Sequence, residues 1–187
     1  MGMHEVARAA VFLDRDGVIN RVLIRDGMPY PPCHVGEFEV YEDVPDGCAR
    51  LKAANFSLVV ITNQPDVGRG TQSRKAVEAM NLKMRSALPL LDRIEVCYHA
   101  GKRYGQPCGC RKPSPGLIVR AAAELNIDPK KSYVIGDRWR DVDCARAAGC
   151  RAILIQRDYI EVLREAPDFT VQNFHEAVSA VLRDSGR

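Results

Sequence analysis

Short uninterrupted apolar runs alternate along the chain with stretches in which apolar residues recur every three or four positions. Ala9-Ala10-Val11-Phe12-Leu13 stops at Asp14, Leu58-Val59-Val60-Ile61 stops at Thr62, and Tyr133-Val134-Ile135 stops at Gly136-Asp137. Runs of this length that end abruptly in polar residues read as strands buried on both faces. Ala152-Ile153-Leu154-Ile155 is a fourth such run, and Ile94-Glu95-Val96-Cys97 a weaker fifth. Between them, Val77, Met80, Met84 and Leu88 recur at helical spacing, as do Leu117, Ala121, Ala122 and Leu125, and Phe174, Val178, Val181 and Leu182. These stripes read as core-packing faces. Buried strands separated by helices imply parallel pairing, because parallel neighbours need crossover connections. The expected fold is α/β, a parallel central sheet with helices on both faces. No internal repeat, low-complexity segment or flexible linker interrupts it, so residues 1–187 are expected to form one domain.

The segment from Val22 to Val40 breaks this rhythm. Asp26-Gly27 is a turn signal between short extended pieces, followed by Tyr30-Pro31-Pro32. It predicts either a small hairpin flap over the end of the first strand or a plain surface loop. Composition adds exclusions. With 27 Lys and Arg against 24 Asp and Glu, the net charge of +3 gives no support to a dedicated nucleic-acid binder or a polybasic membrane anchor. Aromatic residues at 6% are too few for a strand-stacking platform. No apolar run approaches the roughly 20 residues of a membrane span. Met1-Gly2-Met3-His4-Glu5 has no basic segment leading into a hydrophobic one. A cytoplasmic, monomeric enzyme without membrane or nucleic-acid partners is expected.

The chemistry is expected where the strands end, since open α/β sheets bind ligands beyond the carboxyl ends of their strands. There the sequence places Asp14-Arg15-Asp16-Gly17, Thr62-Asn63-Gln64, and Gly136-Asp137 with Asp141 and Asp143. Carboxylates gathered from distant parts of a chain repel unless a cation neutralises them, and hard oxygen ligands suit Mg²⁺. Asp14 and Asp16, two apart, can divide labour between nucleophile and proton shuttle. Lys112 could neutralise a transferring phosphoryl group. Phe12-Leu13-Asp14-Arg15-Asp16-Gly17-Val18-Ile19-Asn20 resembles the first signature of the haloacid-dehalogenase (HAD) phosphatases. Thr62 fits their second signature, Lys112 the third, and Gly136-Asp137 with Asp141 the fourth, in order across most of the chain. The resemblance implies a Rossmann-like HAD fold without a large cap domain, with Asp14 as nucleophile and Asp16 as general acid and base. It further implies phosphoryl binding by Thr62 and Lys112, and Mg²⁺ held by Asp14, the Asp16 carbonyl and Asp137 with support from Asp141. Asp143 has no role in that scheme and reads as a helix residue.

Four soft or borderline metal ligands lie within 14 residues: Cys97, His99, Cys108 and Cys110. Three thiolates with one imidazole suit structural Zn²⁺. The polar, glycine-containing segment between the pairs needs an external staple to hold a shape, and the staple ends directly at Arg111-Lys112. A redox pair is the alternative from spacing alone. Cys33 with His34 offers too few ligands for a second site, and Cys48 and Cys144 read as buried helical residues. The zinc-loop pattern inside a HAD frame resembles the heptose-bisphosphate phosphatases and the related histidinol-phosphate phosphatases. Gly68-Arg69-Gly70 after Thr62-Asn63-Gln64 favours the heptose branch. That resemblance implies substrate contacts from Asn63, Gln64, Arg69, Arg111 and Arg138. The short gap between ligand pairs, the Val22 to Val40 segment and Trp139-Arg140 differ from the commonest heptose version. The expected activity is therefore a Mg²⁺-dependent phosphomonoesterase acting on a small phosphorylated sugar, first a heptose 1,7-bisphosphate at its 7-phosphate. Histidinol phosphate is the second candidate substrate, and a catalytically silent zinc module the non-enzymatic alternative.

Overall fold

The computed structural model describes residues 7–159 and 161–187. The leader reading of Met1 to Glu5 lies outside the described residues. In chain order the elements are β1 (Ala10–Leu13), β2 (Leu23–Arg25), β3 (Met28–Tyr30), α1 (Val44–Ala53), β4 (Ser57–Asn63), α2 (Pro65–Arg69) and α3 (Arg74–Ala87). They continue as β5 (Arg93–Cys97), α4 (Gly116–Leu125), β6 (Tyr133–Gly136), α5 (Trp139–Ala148), β7 (Arg151–Ile155), β8 (Phe169–Val171) and α6 (Phe174–Ser185). Six strands form one sheet in the order β5-β4-β1-β6-β7-β8, every pair parallel.

Alternation along each strand sorts side chains into two cores. Val11, Leu13, Leu58, Val60, Tyr133, Ile135, Ile153 and Ile155 face one core, which Cys48 of α1, Val77, Met80 and Met84 of α3, and Phe174 and Val178 of α6 complete. Ala10, Phe12, Val59, Ile61, Val134, Ala152 and Leu154 face the other, against Leu117, Ile118 and Ala121 of α4 and Val142, Cys144 and Ala145 of α5. Every central strand thus loses both faces to helices, which is why its sequence is continuously apolar rather than alternating. Complete burial of a Leu, Ile or Phe side chain contributes about 1.5–3 kcal/mol before entropy is counted. Ser73 caps α3 by accepting from the Ala76 amide, and Asn173 caps α6 by accepting from Glu176.

The chain steps from β1 to β4 and β5 on one side, then returns to place β6, β7 and β8 on the other. This reversal opens a crevice beyond the carboxyl ends of β1, β4 and β6. The Val22 to Val40 segment forms the hairpin of β2 and β3, with Leu23 opposite Tyr30 and Arg25 opposite Met28. Asp26 and Gly27 both have positive φ, 51° and 71°, as a two-residue type I′ turn requires. β8 was absent from the sequence pattern. It is three residues long, half-exposed at the sheet edge, and follows Pro167-Asp168, so no apolar run marks it.

Candidate active site

Asp14 follows β1 directly, and its amide donates to the Ile135 carbonyl at 3.0 Å, holding the loop against β6. Asp137 follows β6, and Asp141 lies in the first turn of α5. Lys112 reaches these from the loop between β5 and α4. Its Nζ lies 2.8 Å from Asp14 Oδ1 and 2.7 Å from Asp141 Oδ1, and donates to the Ile61 carbonyl at 2.9 Å. Asn63 fixes that loop, its Oδ1 accepting from the Lys112 amide at 3.0 Å and its Nδ2 donating to the Lys112 carbonyl at 3.1 Å. Gly17 has φ 91°, and a Cβ there would run into the Asp137 carboxylate. Close approach of the two loops therefore requires glycine.

Burial, with Asp141 adding to it and Lys112 opposing it, pushes the Asp14 carboxyl up to about 7. Asp137 is driven well above the ordinary aspartate range, by burial first and then by Asp14 and Asp141. Burial disfavours the Lys112 ammonium, but Asp14 and Asp141 outweigh it and hold Lys112 above the usual lysine range. Three carboxylates thus compete for one lysine. Oxygens of Asp14, Asp137 and Asp141 lie within 4.8 Å of one another, and Asp137 Oδ1 is buried with no hydrogen-bond partner among the described residues. A hard divalent cation answers both features, so these residues fit Mg²⁺.

Asp16 is held differently. The Arg15 guanidinium, itself fully buried, contacts both oxygens, with Nη2 at 3.1 Å from Oδ1 and 3.0 Å from Oδ2. Asn20 Nδ2 donates to Oδ1 at 3.0 Å and Gln64 Nε2 to Oδ2 at 2.8 Å. Arg15 is in turn anchored by Asn81 Oδ1 at 3.0 Å. Gln64 also donates to Thr62 Oγ1 at 3.0 Å, and both side chains are buried below the crevice without lining it. Arg15 and Asn20 lie inside the first signature, yet their grip on Asp16 carried no sequence signal beyond proximity. Asn81, 66 positions from Arg15, carried none.

The crevice has a volume of about 360 Å³ and is lined by Asp14, Asp16, Asn63, Lys112, Asp137 and Asp141 on its floor. Arg69, Arg111, Arg138 and Arg140 line its sides, and Val22, Pro29, Tyr30 and Pro31 bring in the hairpin. Arg69 is paired with Asp66 at 3.0 Å and Arg138 with Glu161 at 2.6 Å. Of the residues expected at the site, Asp14, Asp16, Asn63, Arg69, Arg111, Lys112, Asp137, Arg138 and Asp141 line this crevice, while Thr62 and Gln64 lie beneath it.

The cysteine cluster lies beside it, on the loop leaving β5. Cys97 Sγ is 3.2 Å from Cys110 Sγ and 3.7 Å from Cys108 Sγ, and His99 Nδ1 is 3.3 Å from Cys110 Sγ and 3.6 Å from Cys97 Sγ. Bonds of about 2.3 Å to sulfur and 2.0 Å to nitrogen in a tetrahedron need ligand separations of roughly 3.5–3.8 Å. Two of the four separations fall in that range and two lie a few tenths of an ångström below it, so with a slight expansion the four side chains could hold Zn²⁺ with every position filled by protein. Burial pushes the Cys97 thiol up to about 12. A metal displaces such a proton when it binds.

The HAD-hyrolase-like family matches residues 109–177. A D-glycero-beta-D-manno-heptose-1,7-bisphosphate 7-phosphatase from Yersinia pestis is 32% identical over 183 residues, 92% of this chain and 94% of the relative. The chain belongs to this 7-phosphatase family. The Escherichia coli K12 7-phosphatase is 34% identical over 165 residues, 84% of this chain and 83% of its own. Among solved structures, a D,D-heptose 1,7-bisphosphate phosphatase from B. bronchiseptica complexed with magnesium and phosphate superposes with a TM-score of 0.75 at 27% identity. It covers 94% of this chain and 99% of its own. Membership makes the protein a phosphoric monoester hydrolase of the HAD type. Here the parallel sheet carries no inserted cap domain among the described residues, and Pro29 and Tyr30 of the β2–β3 hairpin line the crevice. Among the described residues no helix is long and apolar enough to cross a membrane.

Proposed function

We propose that the protein removes the 7-phosphate of D-glycero-β-D-manno-heptose 1,7-bisphosphate through an aspartyl-phosphate on Asp14. The observation that carries this reading is the contact of Asp14 with buried Lys112 on the floor of an open crevice, beside Asp137 and Asp141. The named relatives support the substrate and its anomer. Asp14, Asp137 and the Asp16 carbonyl would hold Mg²⁺, with Asp141 supporting them. The ion supplies positive charge that neutralises the carboxylates and the phosphoryl oxygens.

Asp14 attacks phosphorus, and the P–O bond to the sugar breaks. Asp16 gives its proton to the departing sugar oxygen. It later takes a proton from the water that attacks phosphorus and frees Asp14. Both Asp16 oxygens are engaged by Arg15, Asn20 and Gln64, so one of these bonds must loosen for each proton transfer. Lys112 places positive charge where the transferring group accumulates negative charge. Thr62 would join Lys112 in binding the phosphoryl group, with Gln64 bridging Thr62 and Asp16 from beneath. Asn63, which also holds Lys112, would contact substrate with Gln64, Arg69, Arg111 and Arg138. Cys97, His99, Cys108 and Cys110 would hold Zn²⁺ and so fix the loop that delivers Arg111 and Lys112. The seven thiols, free throughout, suit a reducing cytoplasm, where the chain would act as a single-domain monomer.

A phosphate-release screen tests the reading. The two heptose 1,7-bisphosphate anomers, histidinol phosphate and simple sugar phosphates are compared by kcat/KM. The β anomer is expected to lead by at least about tenfold. Preference for histidinol phosphate overturns the substrate.

A further inference from the structure

Three residues at every second position of the connection between β7 and β8 meet the two loops that carry the site's aspartates. Arg157 Nε donates to the Gly17 carbonyl at 2.8 Å, in the loop of Asp14 and Asp16. Its guanidinium lies over the Tyr41 ring at 4.3 Å, which fixes its direction. Glu161 reaches the other loop. Its Oε2 accepts from Arg138 Nε at 2.6 Å and its Oε1 from the Trp139 amide at 3.0 Å. Trp139 opens α5, so that amide has no acceptor within the helix, and the largely buried carboxylate meets the favourable end of the helix dipole. Tyr159 stands between these two in the chain. It is buried, Arg138 lies over its ring at 5.5 Å, and its hydroxyl has no hydrogen-bond partner among the described residues. That hydroxyl shares a corner with Asp137: a Cβ on Gly17 would lie 2.2 Å from Asp137 Oδ2 and 3.1 Å from Tyr159 Oη. Arg157, Tyr159 and Glu161 line a cavity of about 500 Å³, and Asp137 lines both this cavity and the crevice.

We propose that Glu161 and Tyr159 are positioning residues for Asp137, through which the β7–β8 connection sets the affinity of the acidic floor for its divalent cation. This rests on the reading of Asp14 and Asp137 as Mg²⁺ ligands. Carboxylates so gathered repel one another, and the energy of holding them together comes either from the fold or out of the binding of the ion. Glu161 fixes the residues directly after Asp137, and Arg157 fixes the loop of Asp14. One stretch of chain therefore holds both loops against that repulsion. With Oδ1 of Asp137 given to the ion, Oδ2 is the oxygen that the Tyr159 hydroxyl holds, which leaves the carboxylate one orientation. A buried hydroxyl gains its missing acceptor in the same step. Neither Tyr159 nor Glu161 lines the crevice, so both act through Asp137 and not on substrate.

The test is Mn²⁺ binding to the substrate-free protein, followed by the electron paramagnetic resonance of the free ion. Wild type, Glu161→Ala, Glu161→Gln, Tyr159→Phe and Asp137→Asn are titrated, and each is also melted without Mn²⁺. Glu161→Ala should weaken Mn²⁺ binding about ten- to a hundredfold. Glu161→Gln keeps an acceptor oxygen at the same reach and should recover part of that loss. Tyr159→Phe loses only the hydroxyl and should weaken binding by a smaller factor, with its melting temperature nearly unchanged. Unchanged Mn²⁺ affinity in Glu161→Ala and Tyr159→Phe, whatever their melting temperatures, makes the contacts structural and overturns the inference while the Mg²⁺ reading stands. If Glu161→Ala does not fold, Glu161→Gln takes its place in that comparison. Equal Mn²⁺ binding by wild type and Asp137→Asn, or none by wild type, removes the ion from this floor and overturns the metal reading and the inference together.

Discussion

The carboxylate crevice and the thiol cluster lie side by side, and both gather acidic ligands around a place for a metal, yet they are built in opposite ways. Asp14, Asp137 and Lys112 come from segments more than a hundred positions apart in the extreme, and the sheet brings them together because β1 and β6 are neighbours. Cys97, His99, Cys108 and Cys110 come from one 14-residue stretch with a short 3-10 turn over Lys102–Tyr104 between the pairs. In the first, a packed core imposes the cluster and tolerates repulsion among its acids, as the raised Asp14 and Asp137 show. In the second, little packing holds the loop, and metal bonds must supply what the core does not. A cluster forced by the fold can leave a coordination position open for chemistry. A cluster that staples its own loop has none to spare.

This contrast yields ordered expectations. Asp14→Asn should reduce phosphate release by about 10⁴-fold or more while leaving zinc content and thermal unfolding nearly unchanged, since it removes the nucleophile and relieves repulsion. Activity in that variant near wild type would remove Asp14 from the chemistry. Withdrawing Mg²⁺ should abolish turnover reversibly with little change in zinc content. Cys108→Ser should lose zinc, and kcat/KM should fall about ten- to a hundredfold as the Arg111–Lys112 loop loosens. Wild-type protein without zinc in elemental analysis would contradict the staple.

A smaller effect concerns β5, the strand that carries Cys97. Burial raises the Glu95 carboxyl, but Arg120 and Arg93 outweigh it and hold it below the usual glutamate range. A carboxylate with a lowered folded-state pKa contributes stability above its unfolded pKa, near 4.3, and loses it as pH falls through the folded value. Glu95→Gln should therefore cost roughly 1–2 kcal/mol at neutral pH. The gap from wild type should close in denaturant melts taken progressively below about pH 4. A pH-independent difference would assign the loss to packing.

How much was legible in the sequence follows the same division. Asp14, Thr62 and Asp137 stood out because each ends a continuous apolar run, and a strand end is a place in the fold as well as in the chain. The cysteine cluster was legible because its ligands are local. The β2–β3 hairpin was readable at Asp26-Gly27, though a loop fitted the same residues. β8 was missed because an edge strand of three residues buries too little to write a pattern. The support of Asp16 was illegible for a different reason. Arg15, Asn81 and Gln64 meet only through side-chain contacts between β1, α3 and the end of β4, and no periodicity records such a meeting.

Acid-quenched turnover of Asp16→Asn, read by mass spectrometry of the peptide that contains Asp14, tests phosphoryl transfer most directly. Loss of Asp16 slows formation of the aspartyl-phosphate as well as its hydrolysis by unactivated water, so a phosphoryl group is expected to build up on Asp14 over a long incubation to a readily detected fraction of the enzyme. Continued phosphate release with Asp14 never phosphorylated, or with the phosphoryl group on another residue, would contradict it.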